Sequence, residues 1–184
     1  MRSQDSGVLD DRLLEAVRRR AEAAASLLTA YEMLATEMTC VAVRERTLSE
    51  TRRNVLFAKR AVVAAYEAAK RTGDELAVAE CRLESLEEDH RLGRVDDNDV
   101  SAQVRRVNAL AHEEFQEKFG EAWAVMQLEK WQEIEKEHLS LLADAQCGAE
   151  AAEAAAERAE ADFRASAASE AEVELQFLRS RALR

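Results

Sequence analysis

The chain has 184 residues with no proline, five glycines and 5% aromatic residues, and a formal net charge of −11. So few turn formers leave room only for few, long elements, and the Ala, Glu, Arg and Leu content favours helix and coiled coil. The acidic balance argues against a dedicated nucleic-acid binder, which carries a basic excess.

The acidity is concentrated late: residues 113–174 hold 5 basic and 17 acidic groups. Cys40, Cys81 and Cys147 are odd in number and far apart, which reads as reduced intracellular thiols rather than a disulfide framework or a zinc site. The polar start MRSQDSG and the lack of any long uncharged run predict a chain that neither enters the secretory route nor spans a membrane.

In chain order, the first helix is expected to begin near Ser6, a good N-cap, with Asp10 and Asp11 favouring its dipole. Leu9, Leu13 and Val17 share a face as ordinary bundle core, beside Arg12, Arg18, Arg19 and Arg20. No Gly or Pro interrupts residues 21–71, and apolar positions recur at Ala24, Leu28, Tyr31, Leu34 or Ala35, Met38 and Val41. Thr29–Glu32 and Thr47–Glu50 both fit a capping pattern, and either could mark a break. Arg71-Thr72-Gly73-Asp74 is the clearest stop and restart, so a hairpin tip is expected there.

A second helix then carries Leu76, Ala79, Leu83, Leu86 and His90 in phase, up to Gly93–Asp99, which is a short loop or a frayed bulge. Asp97 or Asn98 caps the next helix, the stretch 104–143 that holds both tryptophans and two of the five phenylalanines. Val104, Val107, Ala111, Phe115, Phe119, Ala122 and Met126 follow at steps of three and four, with Trp131 and Ile134 after a phase slip. Phe115, Phe119, Trp123, Met126 and Trp131 are therefore the expected packing or dimer seam, where Phe115→Asp or Met126→Asp should dissociate or unfold the protein. After Gly148 the chain becomes Ala/Glu low complexity, helical or partly disordered. Two regions result: a helical bundle over 6–145 and a tail over 146–184.

The Tyr31 helix with Arg44 and Arg46, the helix ELAVAECRLESLEEDH, and VRRVNALAHEEFQEKFGEAWAVMQLEKW together resemble the C-terminal BAR domain of the retromer-associated sorting nexins. The resemblance covers about residues 25–140, with Glu113 or Glu114 before Phe115, then Phe119, Gln127 and Trp131 standing at the family's positions. It implies an elongated, antiparallel three-helix coiled coil that forms a curved homodimer, or a heterodimer with a related coiled-coil protein. That module would act as a cytoplasmic scaffold, peripheral on phosphoinositide-containing endosomal membrane, that shapes membrane for protein transport. Basic residues must then meet the anionic surface, and the candidates are Arg52, Arg53, Lys59, Arg60, Lys70 and Arg71, the last two at the expected tip. The chain departs from the family in lacking a PX domain, in its short first helix, in the Gly93–Asp99 interruption and in its acidic charge.

The competing reading is a structural coiled coil of a cytoskeletal or ciliary assembly without lipid binding, which sustained heptads would favour. Half a tetratricopeptide-like unit in TGDELAVAECRLESLEED has no 34-residue period behind it. Glu87-x-x-His90 and Glu135-x-x-His138 match the spacing of di-iron bundles, but such matches arise by chance in a Glu-rich chain. With no glycine-rich phosphate loop or Ser/His/Asp arrangement recognisable, the chain reads as a non-enzyme with no metal and no cofactor.

Overall fold

A computed structural model describes residues 4–182, with side-chain surroundings from Asp10 onward. Helix α1 is Gln4–Arg91 and helix α2 is Asp97–Ala182. The two pack antiparallel as a helical hairpin, so the chain is all-α but has two long helices and not three.

The missing division is at Gly73. Helix α1 passes through Arg71-Thr72-Gly73-Asp74 without a turn, and among the described residues only Gly93 has a positive φ, at 68°. Glycine in a helix interior costs about 1 kcal/mol relative to alanine. The packing around it outweighs that cost, since Ala69, Thr72 and Ala79 are all buried. Nor does α1 break at Thr29–Glu32 or Thr47–Glu50. It already includes Gln4, so Ser6 is not its cap, and the side chain of Leu9 lies outside the described residues.

The chain reverses at 92–96 instead. The amide of Gly93 donates to the carbonyl of His90 at 2.9 Å and that of Arg94 to Asp89 at 2.8 Å, the pair of bonds that closes a helix on a left-handed glycine. Asp96 then starts α2: its Oδ1 accepts the amides of Asn98 at 2.9 Å and Asp99 at 3.0 Å. The cap is thus one residue earlier than Asp97, which instead faces His90 Nε2 at 2.7 Å across the turn. Asp96→Ala is expected to cost about 1 kcal/mol and to lower the melting temperature by about 2–4 °C, read by circular dichroism.

Both helices keep one heptad register, with seam positions at alternating steps of three and four. On α1 this register runs Leu13, Ala16, Arg20, Ala23, Leu27, Ala30, Leu34 and onward to Leu83 and Leu86; all but Arg20 are buried or half-buried. On α2 it runs from Val100 and Gln103 to Phe177 and Ser180, and none of its members is exposed. Many of the burials are alanines, including Ala58, Ala79, Ala145, Ala152 and Ala156, and no large side chain among the described residues is fully enclosed. This is a thin seam: alanine removes little apolar area from water, so its hydrophobic contribution per layer is small.

Contacts divide the chain into two units. One comprises Thr47–His138, the other the helical segments up to Arg46 and from Leu139. In the first, polar groups mark the register. Thr51 Oγ1 donates to the Thr47 carbonyl at 3.0 Å and meets His138 Nδ1 at 2.8 Å. The buried Gln103 amide donates to the Ala79 carbonyl at 2.7 Å. In the second unit, Arg20 reaches Glu170 at 3.3 Å and stands 5.9 Å from the Phe163 ring centre, within the range of a cation–π contact. A Cβ on Gly148 would approach Glu37 Oε2 to 2.9 Å, so the two helices come close there. Residues 146–182 of the Ala/Glu-rich stretch are helical and contribute Ala152 and Ala156 to the buried set.

Candidate functional site

With seam positions labelled a (Leu48, Val55, Leu76; Val107, Leu128) and d (Thr51, Ala58, Ala79; Leu110, Trp131), each helix presents two flanks. In an antiparallel pair, e positions of both helices fall on one side of the seam and g positions on the other. The grooves in the second unit show this sorting directly: one is lined by Leu34, Met38 and Ala42 with Gln146, Ala149 and Glu153, all on the e side. Another is lined by Arg19 and Ala16 with Ser166, Ser169 and Val173, on the g side.

In the unit Thr47–His138 the side running from position e through b to f carries large apolar residues that no described residue covers. On α1 these are Leu56, Val63 and Tyr66, each more than half exposed. On α2 they are Phe115 at b and Phe119 and Met126 at the outermost f positions, with 67% of each phenylalanine exposed. Phe57 and Trp123 extend the apolar surface onto the neighbouring c positions and are exposed too. Isolated exposed apolar residues are ordinary, but a contiguous series on one flank marks an interaction surface.

The five residues read from sequence as the packing seam therefore divide. Trp131 is half-buried in the hairpin seam, whereas Phe115, Phe119, Trp123 and Met126 are exposed and do not pack the two helices together. Steps of four from Ala111 to Phe115 to Phe119 drift around the helix, away from the 3.5-residue seam. The seam positions at that level are Glu114, Glu117 and Glu121, all half-buried. Glu114 is held by Lys118 at 2.8 Å and lies beside Gly73, 3.1 Å from where a Cβ would stand. Sequence reasoning misses this acidic stretch because carboxylates carry no apolar signal; unbroken counting by heptads from Leu110 finds it.

The basic candidates do not form one cluster at a tip. Arg52, Arg53, Lys59 and Arg60 are exposed along the first part of the α1 segment in this unit, and Arg52 Nε pairs with Glu135 Oε1 at 3.1 Å. Lys70 and Arg71 are exposed in the interior of α1, and Arg71 Nε donates to the Glu67 carbonyl at 3.3 Å. Near the N-terminus, a hydrogen bond and charge from Glu22, with the charge of Glu15, hold the Arg18 guanidinium above the usual arginine range.

Neither Glu-x-x-His pair gathers further ligands. His90 faces Asp97 at the turn, while His138 is bonded to Thr51 and its neighbour Glu135 to Arg52. No group of three metal-ligating side chains occurs among the described residues. Cys40 is half-buried, Cys81 and Cys147 are exposed, and all three are free. No described helix is long and apolar enough to cross a membrane. No family model, curated protein or solved structure matches the chain.

Proposed function

We propose that the protein is a structural coiled coil whose work is binding: a helical hairpin that offers its outer flanks to other helices in a protein assembly. The observation that carries this reading is the second apolar series on each helix, Leu56, Val63 and Tyr66 on α1 and Phe115, Phe119 and Met126 on α2, exposed beside a seam that is already closed. A helix whose apolar residues outnumber those its own fold can cover needs a further partner. Of the two scaffold readings open from sequence, protein assembly is favoured over the membrane-shaping BAR module. That module is built on three helices and a cationic membrane face. This chain has two helices, and its Lys70 and Arg71 lie within α1.

The reading is tested in the cell with a photo-crosslinking amino acid at position 119, and at 153 as a comparison site. Covalent protein adducts at 119 that are absent at 153 are the expected result. Adducts no more abundant at 119 than at 153 would overturn it. So would flotation with phosphoinositide liposomes that is lost on reversing Lys59, Arg60, Lys70 and Arg71, because it would assign the surface to lipid.

A further inference from the structure

We propose that the e/b/f side of the unit Thr47–His138 is a self-association surface. It binds the same flank of a second copy in a two-fold stack, each helix lying antiparallel on its counterpart. This deepens the scaffold reading, on which it rests, by naming the partner.

The first argument is charge. On the outer side of α1, Arg52, Arg53, Lys59 and Arg60 are followed, after a centre at Val63–Lys70, by Glu80, Glu84, Glu87 and Glu88, all exposed. One helix side that is basic at one end and acidic at the other is complementary to itself when reversed. A two-fold axis level with Lys70 sets Arg53 and Arg60 of one copy opposite Glu87 and Glu80 of the other, while Arg52 and Glu88 keep Glu135 and Arg91 of their own chain. Stacking α1 on α2 of the second copy instead offers fewer opposite charges, since the same side of α2 holds Arg105, Lys118, Glu129, Glu133 and Lys136.

The second argument is that the same axis centres the exposed phenylalanines of α2. Gly73 lies against Glu114, so Lys70 is level with residues 117–119 of α2 in the antiparallel pair. The axis therefore passes beside Phe115 and Phe119, and the two copies bring their exposed phenylalanines together at the middle of the contact, flanked by the charged ends. On α2 that is an apolar centre between polar ends, as in the core and rim of an interface.

The third argument is symmetry: a symmetric pair is the commonest way for one surface to satisfy itself.

The test is sedimentation equilibrium on three proteins: the natural chain, Arg53→Glu with Arg60→Glu, and Glu80→Arg with Glu87→Arg. The natural chain is expected to be a dimer at micromolar concentration. Each reversed chain should associate about a hundred-fold more weakly, because the like charges meet twice across the axis. An equimolar mixture of the two should recover the natural affinity, since both ends are then complementary. Phe119→Asp, with its helicity checked by circular dichroism, is expected to be monomeric.

A monomeric natural chain would overturn the proposal, as would reversed chains that remain dimers or a mixture that does not recover. A monomer that still crosslinks through position 119 to a different protein would remove the second copy and leave the scaffold reading standing. A monomer without such crosslinks would remove both.

Discussion

Val55→Asp is expected to lower the melting temperature by about 10 °C or more and to reduce the helical signal at ambient temperature, whereas Phe119→Asp in dilute solution leaves both nearly unchanged. Val55 is 5% exposed in the seam between α1 and α2, so aspartate there strands a charge among apolar atoms. An uncompensated buried charge costs about 3–5 kcal/mol, a large share of the 5–15 kcal/mol typical of a whole domain. For a chain of this size each kcal/mol corresponds to about 2–4 °C. Phe119 loses no intramolecular packing of that kind, and surface substitutions usually stay within about 0.5 kcal/mol. Dilution matters because association through Phe119 adds apparent stability by mass action. Thermal melts at two concentrations check both halves. An intact Val55→Asp with an unfolded Phe119→Asp would mean that the two apolar series have been assigned the wrong way round.

Glu117→Leu combined with Glu121→Leu is expected to raise stability, by about 2 kcal/mol if each leucine gains about half of the 1.5–3 kcal/mol of full burial. The melting temperature should then rise by about 4–8 °C. These two carboxylates and Glu114 occupy three successive seam positions, all half-buried, and like charges three and four residues apart on a helix repel. Leucines remove that repulsion and add apolar area where the seam has least. Urea titration with an unchanged slope and a raised midpoint would confirm the gain. A fall in stability would show that the carboxylate stems already satisfy the site better than a branched side chain can.

Several features of the fold are legible in the amino-acid sequence. The absence of proline and the abundance of Ala, Glu, Arg and Leu predict an all-α chain, and Leu92-Gly93-Arg94 marks the turn even though a frayed bulge is open there too. The cap is displaced by one residue, from Asp97 to Asp96, because in a run of Asp96-Asp97-Asn98 each residue type suits the position and only the bonds to Asn98 and Asp99 decide. The helix count fails at Gly73-Asp74, where local chemistry reads as a stop. The buried positions Ala69, Thr72 and Ala79 continue through it.

The seam fails for a different reason. Large aromatic residues dominate any reading of hydrophobic pattern, yet the hairpin buries small residues at many seam positions, among them Ala16, Ala58 and Ala79. On α1 the stripe read from sequence strays one residue off the seam at Ala24 and Leu28, in place of Ala23 and Leu27, and meets it at Leu34 and Val41, because the neighbouring flank is apolar as well. Both helices carry two apolar series, and one-dimensional pattern has no means of ranking them.

What the sequence determined alone is what depends on a few neighbouring residues: the helices, from propensity summed over long uninterrupted runs, and an interruption at Gly93, where a residue without Cβ is free to take φ of 68°. What only the tertiary structure decided is which apolar series is covered and which is left outward. That choice belongs to a second helix far away in the chain, paired through Thr51 with His138 and Ala79 with Gln103, because burial is a property of two surfaces meeting and not of either one.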